Sequence, residues 1–369
     1  MKCGVMPKLN FLLLLCVFIG ACSRDPSSTT STPSVTPNAP PAPTPIPLPP
    51  IGDTSNPTGV DVYVAGSEYN GSVSVAKYWK NGQAVALTDG TKNAVANSIV
   101  VVDSDVYVAG YETDISIKIA KYWKNGQAFT LADGRSAQGN SIAVRGSDVY
   151  VAGTDYSIVN STPAAKCWKN GQDLFNLPVM TRTFSLLNSI VLVDSEVYVA
   201  GGEMGYLIAA TYWKNGQAVP LTDGTKSAEA SSIVVTGSDT YVAGYEGNGS
   251  VSVAKYWKNG EAVSLTDGTK YAYAFSIAVI DSDVYVAGAE DNGSLSLFTA
   301  KFWKNGEAVA LTDGTKDARA NSIAVIDGDV YVAGVERNGS VSIAKYWKNG
   351  RAITLTNNGS ANEIVVVKR

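Results

Sequence analysis

Seven tryptophans fall at positions 79, 123, 168, 213, 257, 303 and 347, spaced by 44, 45, 45, 44, 46 and 44 residues, and each is followed by Lys-Asn-Gly. A hydrophobic element precedes each of them. It reads DVYVAG at 61–66 and 105–110, with relatives at 148–153, 196–201, 239–244, 283–288 and 329–334. A fixed period of this length marks a repeat architecture, in which one unit cannot bury its apolar face alone and must stack on copies of itself.

The copy at 97–139 shows what one unit is. Ser98 to Val102 is a β-branched run, Asp103-Ser104 suits a turn, and Val106 to Gly110 is a second apolar run. A polar loop around Thr113-Asp114 leads to a third run, Ile115 to Trp123. Asn125-Gly126 fits a two-residue hairpin turn because both residues accept positive φ, and Gln127 to Leu131 returns. Helical periodicity is not sustained anywhere after residue 58. Four short antiparallel strands in each of seven copies predict an all-β seven-bladed β-propeller over 59–369. An open β-solenoid is the alternative.

The two ends of the repeat region decide between them. The first copy begins at Gly59-Val60-Asp61 and lacks the Ser-Ile-Val-Val run. The missing run stands at the other end, as Ala361-Asn362-Glu363-Ile364-Val365-Val366-Val367. An open row gains nothing from this offset. A ring does, so residues 362–368 are expected to form the innermost strand of the first blade and to close the circle.

The Asn81-Gly82 turn sets Lys80 opposite Gln83, Trp79 opposite Ala84 and Tyr78 opposite Val85. A large ring facing a small alanine makes the tryptophans packing residues between blades rather than exposed, lectin-like rings. If Asn70-Gly71 is also a two-residue turn, Tyr63 faces Tyr78, Val64 faces Lys77 and Asp61 faces Lys80. The same acid–lysine match recurs at Asp105/Lys124, Glu196/Lys214, Asp239/Lys258, Asp283/Lys304 and Asp329/Lys348. A second acidic series, Glu68, Glu112, Asp155, Glu203, Glu246, Glu290 and Glu336, reads as a solvated rim. Calcium loops need several oxygens clustered in one segment, and this series does not cluster. Asp89-Gly90 and its relatives at Asp133, Asp223, Asp267 and Asp313 fit turns after the outer strand. Asn-Gly-Ser at 70, 248, 292, 338 and 358 is read as turn chemistry rather than glycosylation.

Ahead of the repeats, Lys2 and Lys8 flank the start of an apolar run from Phe11 to Ile19, which ends in Ile19-Gly20-Ala21-Cys22. The run is short for a bilayer span and suits a signal peptide. Its last four residues resemble the lipobox of bacterial lipoproteins. That resemblance implies cleavage after residue 21 and a lipid anchor on Cys22, with residues 1–21 as signal peptide. A plain cleaved peptide or an uncleaved tether are the alternatives. Residues 23–58 hold 11 of the 15 prolines, so 22–58 reads as an extended Pro/Ser/Thr-rich tether. The mature chain then keeps Cys22 and Cys167. An acylated Cys22 cannot pair, so no intrachain disulfide is expected.

Composition narrows the function classes. Histidine is absent, and 29 Lys+Arg stand against 33 Asp+Glu. Catalytic or metal chemistry that needs imidazole is excluded, and nucleic-acid binding is disfavoured. No phosphate-binding Gly-rich loop opens a helix. No cofactor, metal or catalytic residue is assigned, although a glycosidase-like carboxylate pair stays open.

Seven internal copies can be compared with one another. The segments joining one blade to the next vary most: KNAVAN at 92–97, RSAQGN at 135–140, KSAEAS at 226–231, KYAYAF at 270–275 and KDARAN at 316–321. Within them and their relatives, Val95, Gln138, Leu186, Glu229, Tyr273, Arg319 and Ser360 occupy one equivalent position. Connections of this kind cross one face toward the channel, and loops there often bind. Val95, Gln138, Leu186, Glu229, Tyr271, Tyr273, Asp317 and Arg319 are the candidate binding rim, with Tyr271, Tyr273, Asp317 and Arg319 the most chemically marked. Free drift of exposed loops is the competing explanation. The third blade departs from the pattern, with Cys167 where tyrosine is usual and an apolar linker, Met180 to Asn188, that suits either a partner patch or gap filling.

By its VYVAG and YWKNG elements the chain resembles bacterial envelope lipoproteins that carry β-propeller repeats. The resemblance implies a monomeric, lipid-anchored propeller in the cell envelope, at the outer membrane if the cell is Gram-negative. Its expected role is to present a face to an envelope or surface protein. A glycan-binding propeller is the alternative, and a carboxylate-dependent glycan-processing enzyme a more distant one.

Overall fold

The computed structural model describes residues 59–131, 136–156, 164–176, 184–204, 207–293 and 297–369. The signal, Cys22 and tether assignments lie outside them, as do Asp133 and Met180.

The chain forms seven four-stranded antiparallel sheets, the blades of a β-propeller. In blade 2 the strands run outward from the channel as Ala94–Val102, Asp105–Asp114, Ile117–Lys124 and Gln127–Thr130. Blade 1 takes its innermost strand, Gly359–Lys368, from the end of the repeat region. That strand pairs antiparallel with Val60–Tyr69, setting Val62 opposite Val366 and Val64 opposite Ile364. The expected ring closure is present.

The Asn-Gly turns have the predicted register, with Lys80 opposite Gln83, Trp79 opposite Ala84 and Tyr78 opposite Val85. Asn81 and Gly82 both have positive φ, 52° and 82°. Asn81 also bonds beyond its own turn. Its Oδ1 accepts the Val62 N–H at 2.9 Å, and its Nδ2 donates to Asp61 at 2.8 Å. The side chain therefore occupies a backbone donor at the end of the adjoining strand, which a glycine there would leave to water. Asn125, Asn170, Asn215, Asn259, Asn305 and Asn349 do the same for Val106, Val149, Val197, Thr240, Val284 and Val330.

The next hairpin differs from expectation by two residues. Tyr63 pairs with Lys80, Ala65 with Tyr78 and Gly66 with Lys77. The connection is a four-residue loop, because Asn70 Oδ1 accepts the N–H groups of Ser72 and Val73 and so draws them into the turn. A shift of two keeps each side chain on its face. Asp61 consequently still meets Lys80, diagonally, at 3.0 Å. The corresponding acid–lysine pairs form in the other blades, including Asp148 with Lys169 at 2.7 Å. In the blades each of these lysines also lies over a tyrosine ring, as Lys80 does over Tyr63 at 5.1 Å.

Every tryptophan is at most 2% exposed. Trp123 of blade 2 lies with Tyr63, Ala65 and Ala76 of blade 1, and Trp79 with Tyr331, Ala333 and Ala344 of blade 7. Each indole thus cements its blade to the preceding one. Alanines such as Ala65, Ala94 and Ala96, fully buried, give it room. Cys167 is buried among Tyr150, Leu187 and Trp213, and burial pushes its thiol up to about 12. It packs as a small apolar side chain. Leu186 and Leu187 are buried as well, so this part of the third linker fills space.

Six of the seven members of the second acidic series do not form a solvated rim. Glu68, Glu112, Glu246, Glu290 and Glu336 pair with Lys77, Lys121, Lys255, Lys301 and Lys345, with side chains only 14–33% exposed, and Asp155 is buried. The sheet brings each glutamate diagonally against the lysine of the third strand. At Asp89, Asp223, Asp267 and Asp313 the carboxylate accepts the N–H and hydroxyl of the threonine two residues on, the expected turn.

Candidate functional site

The site begins with a backbone irregularity. In every blade the innermost strand carries one residue more than its neighbour: the register slips at Asn97, Asn140, Asn188, Ser231, Phe275, Asn321 and Asn362. A bulge re-aims the side chain it frees. These seven side chains line one opening of about 100 Å³ in the centre of the ring, together with Ser141, Ser189, Ser232, Ser276, Ser322 and Glu363.

Two rings of hydrogen bonds fix this wall. Asn97, Asn140, Asn188, Asn321 and Asn362 donate Nδ2 to the carbonyls of Gly139, Leu187, Ala230, Ala361 and Ala96 in the next blade, at 2.7–3.0 Å. A carbonyl can only accept, so the amide must present nitrogen to it. Ser98, Ser141, Ser189, Ser232, Ser276 and Ser322 accept the N–H of Ile142, Ile190, Ile233, Ile277, Ile323 and Ile364 at 3.0–3.4 Å. In blade 1, Glu363 takes the serine's place and accepts from Ile99 at 2.7 Å. Burial pushes its carboxyl up to about 7, against the opposing pull of Ser98 and the Ile99 N–H.

The asparagine ring is broken in blades 5 and 6, where Ser231 and Phe275 stand. Aromatic side chains gather beside the break. Tyr273 lies edge-on to Tyr245 at 4.9 Å, parallel to Phe275 at 6.2 Å and tilted to Phe298 at 5.8 Å. The Arg319 guanidinium lies over Phe298 at 5.5 Å. Glu229 accepts from the Tyr245 hydroxyl and from Asn188 Nδ2, both at 2.8 Å. Burial raises its carboxyl above the usual glutamate range while these two donors oppose the shift.

The candidate rim is placed differently from the expected loops. Val95, Gln138, Leu186, Glu229, Tyr273 and Arg319 lie inside the innermost strands, paired with Tyr111, Thr154, Gly202, Tyr245, Ala289 and Val335. The inter-blade link is four residues shorter than the composition suggests, because the strand begins before the bulge, at Ala94 rather than Ser98. Tyr271 and Asp317 do precede strands. Tyr271 is 38% exposed and donates its hydroxyl to the Ser250 carbonyl at 3.2 Å. Asp317 accepts the Phe298 N–H at 3.1 Å and lies 3.6 Å from Arg337. The fold brings Glu229, Tyr273 and Arg319 into one run of contacts across blades 5, 6 and 7. Val95, Gln138 and Leu186 are elsewhere on the ring, with Gln138 accepting from Lys118 at 2.9 Å.

Sequence reading missed the bulge residues, Tyr245, Phe298 and Glu363. The available signal was the Asn-Ser pair before each isoleucine, and the copies that depart from it: Ser231, Phe275 and Glu363. Among the described residues, no group of three or more Cys, Asp or Glu side chains is placed to hold a metal.

No family model matches the chain, and no curated protein matches it. Its fold is similar to that of the Pyrococcus horikoshii acylaminoacyl peptidase, with a TM-score of 0.50 and 11% identity over 81% of this chain and 51% of that one. A structure from work on two prolyl endopeptidases superposes with a TM-score of 0.48 and 12% identity, over 84% of this chain and 50% of that one. The chain thus spans about half the length of these proteins. What the likeness to the acylaminoacyl peptidase shows is the fold: an all-β ring of seven four-stranded blades, able to present a face for interaction.

Proposed function

We propose that this propeller is a non-enzymatic glycan-binding domain, and that carbohydrate docks where blades 5, 6 and 7 meet the channel. The observation that carries the reading is the half-buried aromatic group Tyr273, Phe275 and Phe298, set between the Glu229 carboxyl and the Arg319 guanidinium and opening onto a wall of amides and hydroxyls. A sugar ring has one apolar face and a rim of hydroxyls. Aromatic surface with a few convergent polar groups suits it. Binding rather than catalysis is assigned because Glu229 is engaged at both oxygens, by Tyr245 and Asn188, and offers no free carboxylate for proton transfer.

A protein partner on the same face is the second reading, favoured by the exposed ring of Tyr271, two residues from Tyr273, since aromatic side chains anchor interfaces. The proposal includes the anchor: a monomer tethered through residues 22–58 to lipid on Cys22, in a bacterial envelope. Cys22→Ala is expected to release the protein from membranes.

The test is a glycan array followed by calorimetry on the best hit. Tyr273→Ala is expected to weaken binding at least about tenfold, an energy of roughly 1.4 kcal/mol, with an unchanged β spectrum. An array without a specific hit, or full binding by the variant, would overturn the glycan reading. Specific capture of one envelope protein that Tyr271→Ala abolishes would favour the second.

A further inference from the structure

Six blades place serine after the bulge residue, and blade 1 places a carboxylate there. We infer that the throat of the channel is a binding site for a hydrated divalent cation of the calcium type, held by Glu363 and by the amide oxygens of Asn97, Asn188, Asn321 and Asn362.

The chemistry follows from the ring of hydrogen bonds. Each of these four asparagines commits its nitrogen to a carbonyl of the next blade. Each Oδ1 is thereby left as an acceptor, and no side chain or backbone donor of the described residues occupies it. Neither lysine nor arginine lines the opening. Glu363 has no cationic partner among the described residues; what faces it is the Ile99 N–H and the Ser98 hydroxyl. The wall is therefore a circle of oxygen acceptors with one potential negative charge. Hard cations such as calcium and magnesium take carboxylate, amide and water oxygens of this kind. At about 100 Å³ the opening has room for several waters, so part of the shell is water and part protein. One carboxylate puts the affinity in the weak class, with Kd on the order of 10⁻⁴–10⁻³ M. Phe275 of the aromatic group lines the same opening and Asn188 also donates to Glu229, but none of the five proposed ligands is aromatic, and the inference stands without the glycan reading.

The experiment titrates calcium chloride into chelator-treated full-length protein, by calorimetry and by thermal unfolding, with sodium chloride at matched ionic strength as the control. Saturable binding and a rise in the unfolding midpoint are expected with calcium and not with sodium. Glu363→Ser restores the serine of the other six copies and is expected to fold while losing affinity by at least about tenfold. Glu363→Gln keeps the neutral hydrogen-bonding shape and should lose it equally. Absence of saturable binding up to about 10 mM calcium, an equal response to sodium, or retained affinity in both variants would overturn the inference.

Discussion

The last glycine of each VYVAG element lies beneath the bulge, and Gly244 shows how narrow that clearance is. A Cβ built there overlaps the Glu229 carbonyl oxygen, comes within 3.0 Å of the Glu229 carbonyl carbon and within 3.1 Å of the Trp257 ring. Three residues along the same strand, Gly247 meets nothing nearer than the Ser227 carbonyl at 3.5 Å, an ordinary contact. Neither has positive φ, so the contrast is one of space alone. In Gly244→Ala the Glu229 carbonyl must retreat by about 1 Å to regain van der Waals separation. That movement strains the bulge, at roughly 1–3 kcal/mol, and weakens one or two ladder bonds, at about 1 kcal/mol each. A loss of about 2–5 kcal/mol is expected. Gly247→Ala is expected to be neutral or to gain about 0.4–1 kcal/mol by restricting the unfolded chain. Urea unfolding followed by tryptophan fluorescence separates the two. If Gly244→Ala unfolds at the same midpoint as Gly247→Ala, the bulge does not clamp the inner strand as described.

Two further outcomes can be checked directly. Removing residues 359–369 strips the inner strand from blade 1 and exposes the edge of Val60–Tyr69; association or proteolytic lability is expected by size exclusion and limited digestion, and a monomer with the parental unfolding midpoint would contradict ring closure. The Lys77 ammonium, then the Thr356 hydroxyl, hold the Glu68 carboxyl below its usual 4.5, so its folded form binds fewer protons than the unfolded one. Its contribution is present above that value and is lost as pH falls through the folded pKa. Lys77→Met should therefore flatten the acid limb of stability below about pH 4.5, by no more than about 1 kcal/mol for a pair this accessible.

The architecture was legible because its signals are local and repeated. Trp79 opposite Ala84 follows from a two-residue Asn-Gly turn, and closure follows from the strand missing at Gly59 and present at Glu363. The Asn70 hairpin was misplaced because an asparagine side chain drew two more residues into its loop, which composition does not display. The site was half legible. Glu229, Tyr273 and Arg319 stood out as variable positions, and the fold does bring them into one run of contacts. Asn97 and its equivalents did not, because a bulge is a property of hydrogen-bond register. Uniform asparagines look like scaffold until the register shows that they face a common axis. Five of the glutamates after VYVAG looked solvated for a similar reason: Glu68, Glu112, Glu246, Glu290 and Glu336 each meet a lysine across a strand boundary nine to eleven residues away.

The serine that accepts its neighbour's isoleucine N–H ties the tally of units to the integrity of each. Genetic loss or gain of one 44-residue copy would leave every hairpin intact. The circumference would change, however, and every such handshake around the hub would have to be re-aimed at once. An altered copy number is thereby penalised by geometry at all the remaining joints and not only at the scar.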